Sequence, residues 1–291
     1  MQNITHSKSA SSDTRRTPSP AIWNSCPWLD MVVGTVDGTC FHDDFLVADD
    51  EDGNDSSYER YIDTSDTIRV LAADTTATAT GSRGGVLRLS IAATDNNSPT
   101  IQWGSGNGAG SILLGNTSGA EVKTWFECRI RKSSIADDVS GLFVGFGGVN
   151  MAANNGTLED DTGVLVDSIS AFGFRVKHVN SGTTGQNALV DVVYQDSANT
   201  AETVLITSAA TMVASTWMKL GFLYDPSEIS AKKIKFFVNN VEASTYLTTT
   251  AMDTSTFPEN DAMNFVLCAK AGAGTASTVD IDWWRVAQQY S

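Results

Sequence analysis

The chain has little cysteine, little histidine and no long apolar run. Four cysteines stand in 291 residues, at 26, 40, 128 and 268, with no C-x-x-C spacing. None has a His or Cys at metal-ligand distance in sequence, which argues against a zinc site. The pattern predicts free thiols, with Cys128 and Cys268 in the core. Three scattered histidines, His6, His42 and His178, argue against a His-based metal site and a Ser-His-Asp triad. No apolar run approaches the ~18–20 residues that span a bilayer. The opening MQNITHSKSASSDTRR lacks the apolar core of a secretory signal, so a product kept in a cytosol is expected. Basic residues are scarce: 19 Lys and Arg face 34 Asp and Glu, a net charge of −15. That sign argues against nucleic-acid binding and against docking on anionic membranes.

Catalytic motifs are also scarce. There is no G-x-S-x-G elbow, and the Gly-rich stretch 104–110 lacks the Lys-Ser/Thr of a phosphate loop. Asp280 and Asp282 share one strand face, but Trp284 stands where a third carboxylate of a glucanase strand belongs. They read as a solvated outer face opposite Val279, Ile281 and Trp283. The loop ADDEDGNDSSYE (48–59) has Gly53 and Glu59 at calcium-loop spacing, but Ala48 stands at the first ligand position. A looser calcium site on Asp50, Asp52 or Asp55 is the alternative to a solvated acidic loop. No cofactor and no catalytic residue is expected.

What is present is β structure. Hydrophobic residues make up 41%, and a chain of this length buries about 75% of its unfolded surface. In 124–131, Phe126, Cys128 and Ile130 alternate with Glu127, Arg129 and Arg131, one face dry and one wet. Similar runs recur at 86–92, 141–147, 171–178, 188–194, 202–207, 216–224, 233–239, 263–269 and 278–287. Asn239-Asn240 reads as a hairpin turn, and Gly, Asn, Ser and Thr fill the joins. No long stretch has a convincing helical period. Short strands at this spacing predict an all-β sandwich. Residues 1–40 read as an extended N-terminal arm, basic at first, then apolar with Ile22, Trp23, Trp28 and Leu29. Residues 41–291 form the body.

Several motifs in order carry a resemblance. FHDDF (41–45) opens the body and GGVLRLS (84–90) follows. TWFECRIRKS (124–133), GLFVGFG (141–147), WMKLGFLYD (217–225) and KIKFFVNNVE (233–242) come next, and VDIDWWRVAQ (279–288) closes the chain. The set, over about 40–288, resembles the concanavalin A-like, lectin/glucanase-type jelly-roll domains of tailed-bacteriophage virion structural proteins. The resemblance implies an antiparallel jelly-roll β-sandwich with the N-terminal arm in front of it. It also implies a non-enzymatic head decoration or cement protein on the outer capsid surface, made in the host cytoplasm. Its partners would be the major capsid protein and neighbouring copies of itself, in a dimer or trimer. Ile22, Trp23, Trp28 and Leu29 are the candidate anchors, because paired Trp in a segment of little structure is good hot-spot material. The alternatives are a carbohydrate-binding tail, fibre or adhesin module and, more weakly, a glycan-cleaving enzyme. For the seven tryptophans the readings are core or cover, subunit contact, or a glycan platform.

Overall fold

The computed structural model describes residues 14–45, 58–62, 65–71, 85–104, 110–115, 121–152, 157–178, 186–259, 261–272 and 274–290. Fifteen strands build two antiparallel sheets. They are β1 (Gly38–Asp43), β2 (Tyr58–Tyr61), β3 (Thr67–Leu71), β4 (Val86–Ile91), β5 (Thr100–Trp103), β6 (Lys123–Lys132), β7 (Ser140–Gly147) and β8 (Ala171–Val176). Then follow β9 (Leu189–Gln195), β10 (Thr203–Thr211), β11 (Met218–Tyr224), β12 (Ile234–Val238), β13 (Val241–Leu247), β14 (Asn264–Ala271) and β15 (Ser277–Gln289). The eight-stranded sheet runs β13-β12-β11-β6-β15-β4-β3, and β1 pairs the second half of β15 beyond the reach of β4. The seven-stranded sheet runs β10-β9-β8-β7-β14-β5-β2.

The sheets face each other across one apolar core. Phe126, Cys128 and Ile130 of β6 meet Leu142, Val144 and Phe146 of β7 there, together with Phe222, Phe172 and Phe265. Phe126 packs edge-on against Phe146 at 4.9 Å, a favoured aromatic geometry. The ten strands read from period two all form. Asn239 and Asn240 carry φ of 49° and 71°, the left-handed pair of a two-residue hairpin. Cys128 and Cys268 are fully buried and all four cysteines are free thiols.

Two expectations about the outer faces need correction. Glu127, Arg129 and Arg131 were expected on a wet face, yet they are only 1%, 4% and 8% exposed. Asp280 and Asp282, expected to be solvated, are 2% and 0% exposed. Acid and base neutralise each other across neighbouring strands, and the N-terminal segment roofs them. The tail of β15 is also out of phase with a simple alternation. A bulge between Ile281 and Trp283 inserts one residue, so Trp284 and Val286 join the core face of Val279 and Ile281. Trp283 therefore points out of the sandwich core, and Trp284 stacks on Phe265 with centroids 4.1 Å apart.

The outer face of the seven-stranded sheet is also partly covered. The β7–β8 connection folds back over it, seating Met151, Leu158, Leu165 and Ile169 on Phe143, Ala171, Val193, Val266 and Cys268. Gly147 makes room, because a Cβ there would stand 2.8 Å from Met151 Cγ.

Candidate functional site

Residues 1–13 of the expected arm lie outside the described residues, and from Thr14 on the segment lies against the body. From Thr14 it crosses the outer face of the eight-stranded sheet and makes two helical turns, α1 (Pro20–Trp23) and α2 (Trp28–Val32). Pro20 occupies the first position of α1, where a missing N–H costs nothing. The preceding Ser19 N–H, free at the helix start, donates to Glu127 Oε2 at 3.0 Å. Trp23 Nε1 donates to the same oxygen at 2.7 Å. Burial pushes the Glu127 carboxyl above its ordinary range, against the pull of Ser19, Lys219 and Trp23.

Other side chains of the sheet hold the segment's main chain. Arg129 Nε donates to Thr14 O at 3.2 Å, and Lys219 Nζ donates to Thr17 O at 3.0 Å. Asn240 Oδ1 accepts from Ala21 N–H at 2.8 Å. Arg16 reaches Asp282 at 3.1 Å and Asp44 at 3.3 Å. Beneath lies a charge lattice in which Asp282 holds Arg129 at 2.6 Å, while Asp280 holds Arg88 at 2.7 Å and Arg131 at 2.9 Å. Trp217 lies against both Arg129 and Arg131, its ring centre 4.6 and 4.4 Å from their guanidinium carbons. Asp280 and Asp282 are thus each paired with arginines.

The four candidate anchors fall in different places. Ile22 is 1% exposed and packs with Trp125, Leu223, Phe237 and Ala287 of its own body. Trp23 and Trp28 are half-buried, edge to face at 5.6 Å, with the Arg285 guanidinium over both. Leu29 alone is open, at 72% exposure. Val32 and Val33, at 60% and 62%, join it at i+3 and i+4, so three apolar side chains share one face of α2 and its C-cap. Val32 and Val33 belong to the apolar run 21–33 but were not among the four named anchors. Their helical spacing from Leu29 was the available signal.

The seven tryptophans serve as core or cover. Trp125, Trp283 and Trp284 are at most 2% exposed, Trp217 is 6% exposed, and Trp23, Trp28 and Trp103 are half-buried. No indole lies open as a stacking platform. The acidic loop with Asp50, Asp52 and Asp55 lies outside the described residues. Among the described residues, no three His, Cys, Asp or Glu side chains are placed to hold a metal ion.

A second feature lies on the seven-stranded sheet. A cavity of about 140 Å³ is lined by Arg175, Lys177, Gln186, Leu189, Asp191, Val204 and Thr207. Its floor is built: buried Arg175 bridges Glu202 and Asp191, the latter at 2.6 Å. Asp191 also accepts from Ser208 N–H at 2.9 Å, and Glu202 accepts from Leu165 N–H at 2.9 Å. Sequence reading did not find this pocket, since its residues come from β8, β9, β10 and the β8–β9 connection and carry no motif. Cation, carboxylate, amide and hydroxyl stand together beside Leu189 and Val204, a mixture that suits a neutral polyhydroxyl ligand more than an ion.

No family model matches the chain, and no curated protein matches it by sequence. Solved structures do match. A protein of unknown function from Shewanella oneidensis MR-1 superposes with a TM-score of 0.51 at 12% identity, over 91% of this chain and 95% of that one. Peanut lectin, solved with a nine-residue peptide, gives 0.51 at 12% identity, over 87% and 97%. At such identity the likeness is one of fold, and the fold is the concanavalin A-like antiparallel jelly-roll sandwich.

Proposed function

We propose that this chain is a non-enzymatic virion protein that decorates the outer surface of a tailed-phage capsid. One observation carries the reading: an apolar face of Leu29, Val32 and Val33 stands open on a segment otherwise fastened to a strongly acidic body. Open apolar side chains grouped on one helical face suit a protein partner. The motif order that resembles virion jelly rolls supplies the kind of partner, the major capsid protein. A protein that binds the assembled shell and not its separate subunits stabilises the shell by mass action. Leu29 would make the contact, with Trp23 and Trp28 bracing α2 from behind and Ile22 holding it to the body. The test is co-sedimentation with assembled shells. The full chain pellets with shells, and Leu29→Asp with Val33→Asp stays in the supernatant while keeping the wild-type melting curve. Equal pelleting of both proteins would sink the reading.

The pocket of Lys177, Gln186 and Asp191 favours a second reading, a carbohydrate-binding tail or fibre module. Its mixed donors and acceptors fit sugar hydroxyls, and peanut lectin shares the fold. On this reading Lys177→Ala with Gln186→Ala loses binding on a glycan array that the wild type retains. An array blank for the wild type retires it.

A further inference from the structure

The N-terminal segment lies on the eight-stranded sheet as a peptide lies in a groove. It adds no strand. Four side chains of the body, Glu127, Arg129, Lys219 and Asn240, reach its main chain at Thr14, Thr17, Ser19 and Ala21. Main-chain bonds supply affinity, and side-chain seats supply register. Ile22 has such a seat: a Cβ on Gly221 would stand 2.6 Å from Ile22 Cδ1, so the glycine leaves a socket for it. Arg16 and Trp23 are fixed on either side by Asp282 and Glu127. Withdrawing the segment takes two bonds from Glu127 and one each from Arg129, Lys219 and Asp282, none of them more than 4% exposed in the filled groove. Arg129 and Asp282 keep each other at 2.6 Å, while Glu127 loses both of its segment donors, so a filled groove is favoured.

Nothing in those contacts requires the occupant to come from the same chain. Every contact just named is made by residues 14–23, ahead of the link 33–37 that leads into β1. That link contains Gly34 at φ +74°, a conformation glycine adopts without strain. Own and foreign segments make the same contacts, so exchange turns on opening the link, where Thr35 and Val36 N–H now donate to Asp30 O and Asp37 O accepts from Tyr290 N–H. We infer that this groove is a self-recognition site that takes the segment of a second copy in place of its own, strapping copies together. High concentration of the protein itself favours the exchange by mass action, because two chains combine into one dimer. The inference does not depend on what the α2 face binds.

The test uses the full chain. Ordinary and heavy-isotope-labelled wild-type copies are incubated together at high concentration, diluted and weighed by native mass spectrometry. Mixed dimers that a synthetic peptide of residues 14–27 dissolves are expected. Monomers only, at every concentration, would overturn the inference, as would dimers indifferent to the peptide. The full-length Ile22→Asp variant frees its own groove and binds fluorescent 14–27 peptide at least tenfold tighter than wild type. Should that variant fail to fold, Ile22→Ala replaces it. A folded variant that binds the peptide no tighter than wild type also overturns the inference.

Discussion

Trp23 and Ser19 donate to one oxygen of Glu127, at 2.7 and 3.0 Å, and so tie the N-terminal segment to the middle of the eight-stranded sheet. The carboxylate would be expensive to bury alone. The segment makes its burial tolerable, and in return it is held in one register.

Trp23→Phe keeps an aromatic ring and removes the donor together with the pyrrole that carries it. Because the acceptor is a buried carboxylate, the loss is about 1.5–3 kcal/mol by urea denaturation. Protease cleavage near Arg15 and Arg16 should accelerate in the variant. An unchanged denaturation midpoint would mean that the indole bond contributes nothing.

Glu127 also gives the fold a pH signature. Burial raises its folded pKa above the ordinary value of 4.5. A raised folded value means that its contribution is present at acid pH and is lost as pH rises through that value. Glu127→Gln removes the titration. The variant therefore gains on wild type as pH rises from about 4 to 8, seen as a shift in relative melting temperature. A constant difference across that range would contradict the assignment.

Arg175 lies under the pocket with Glu202 and Asp191 on its two terminal nitrogens. Arg175→Met leaves two buried carboxylates without their shared cation, a loss of about 3–5 kcal/mol. Lys177→Ala, on the half-buried rim of the same pocket, changes stability by no more than ~0.5 kcal/mol. Equal losses in the two variants would show that the pocket floor is not the structural element described.

Trp284 stacks on Phe265 with planes 8° apart and donates to Tyr58 Oη at 2.8 Å. Trp284→Ala opens the core and costs about 3–5 kcal/mol in the same denaturation assay. A loss under 1 kcal/mol would place the residue outside the core.

That residue also marks where sequence reading stopped. Period-two runs such as Phe126, Cys128 and Ile130 located ten strands, because burial on one face writes its alternation into the chain. The bulge before Trp283 broke that alternation silently, and the wrong Trp was assigned to the core. β2, β3 and β5 are only four or five residues long, too short for a period to register. Glu127 and Asp280 read as solvated because charge normally marks water. Only the three-dimensional contacts of Glu127 with Ser19 and Trp23, and of Asp280 with Arg88 and Arg131, reverse that expectation. Ile22, Trp23 and Trp28 were legible as packing residues, but not whether they would pack on their own body.

The proposed role puts the protein on an outer capsid surface, held there through the α2 face. Quantitative mass spectrometry of density-banded particles from the source tests it most directly. A decoration protein is expected by the hundred in each particle, in fixed ratio to the major shell protein. Absence of the chain from purified particles would contradict it.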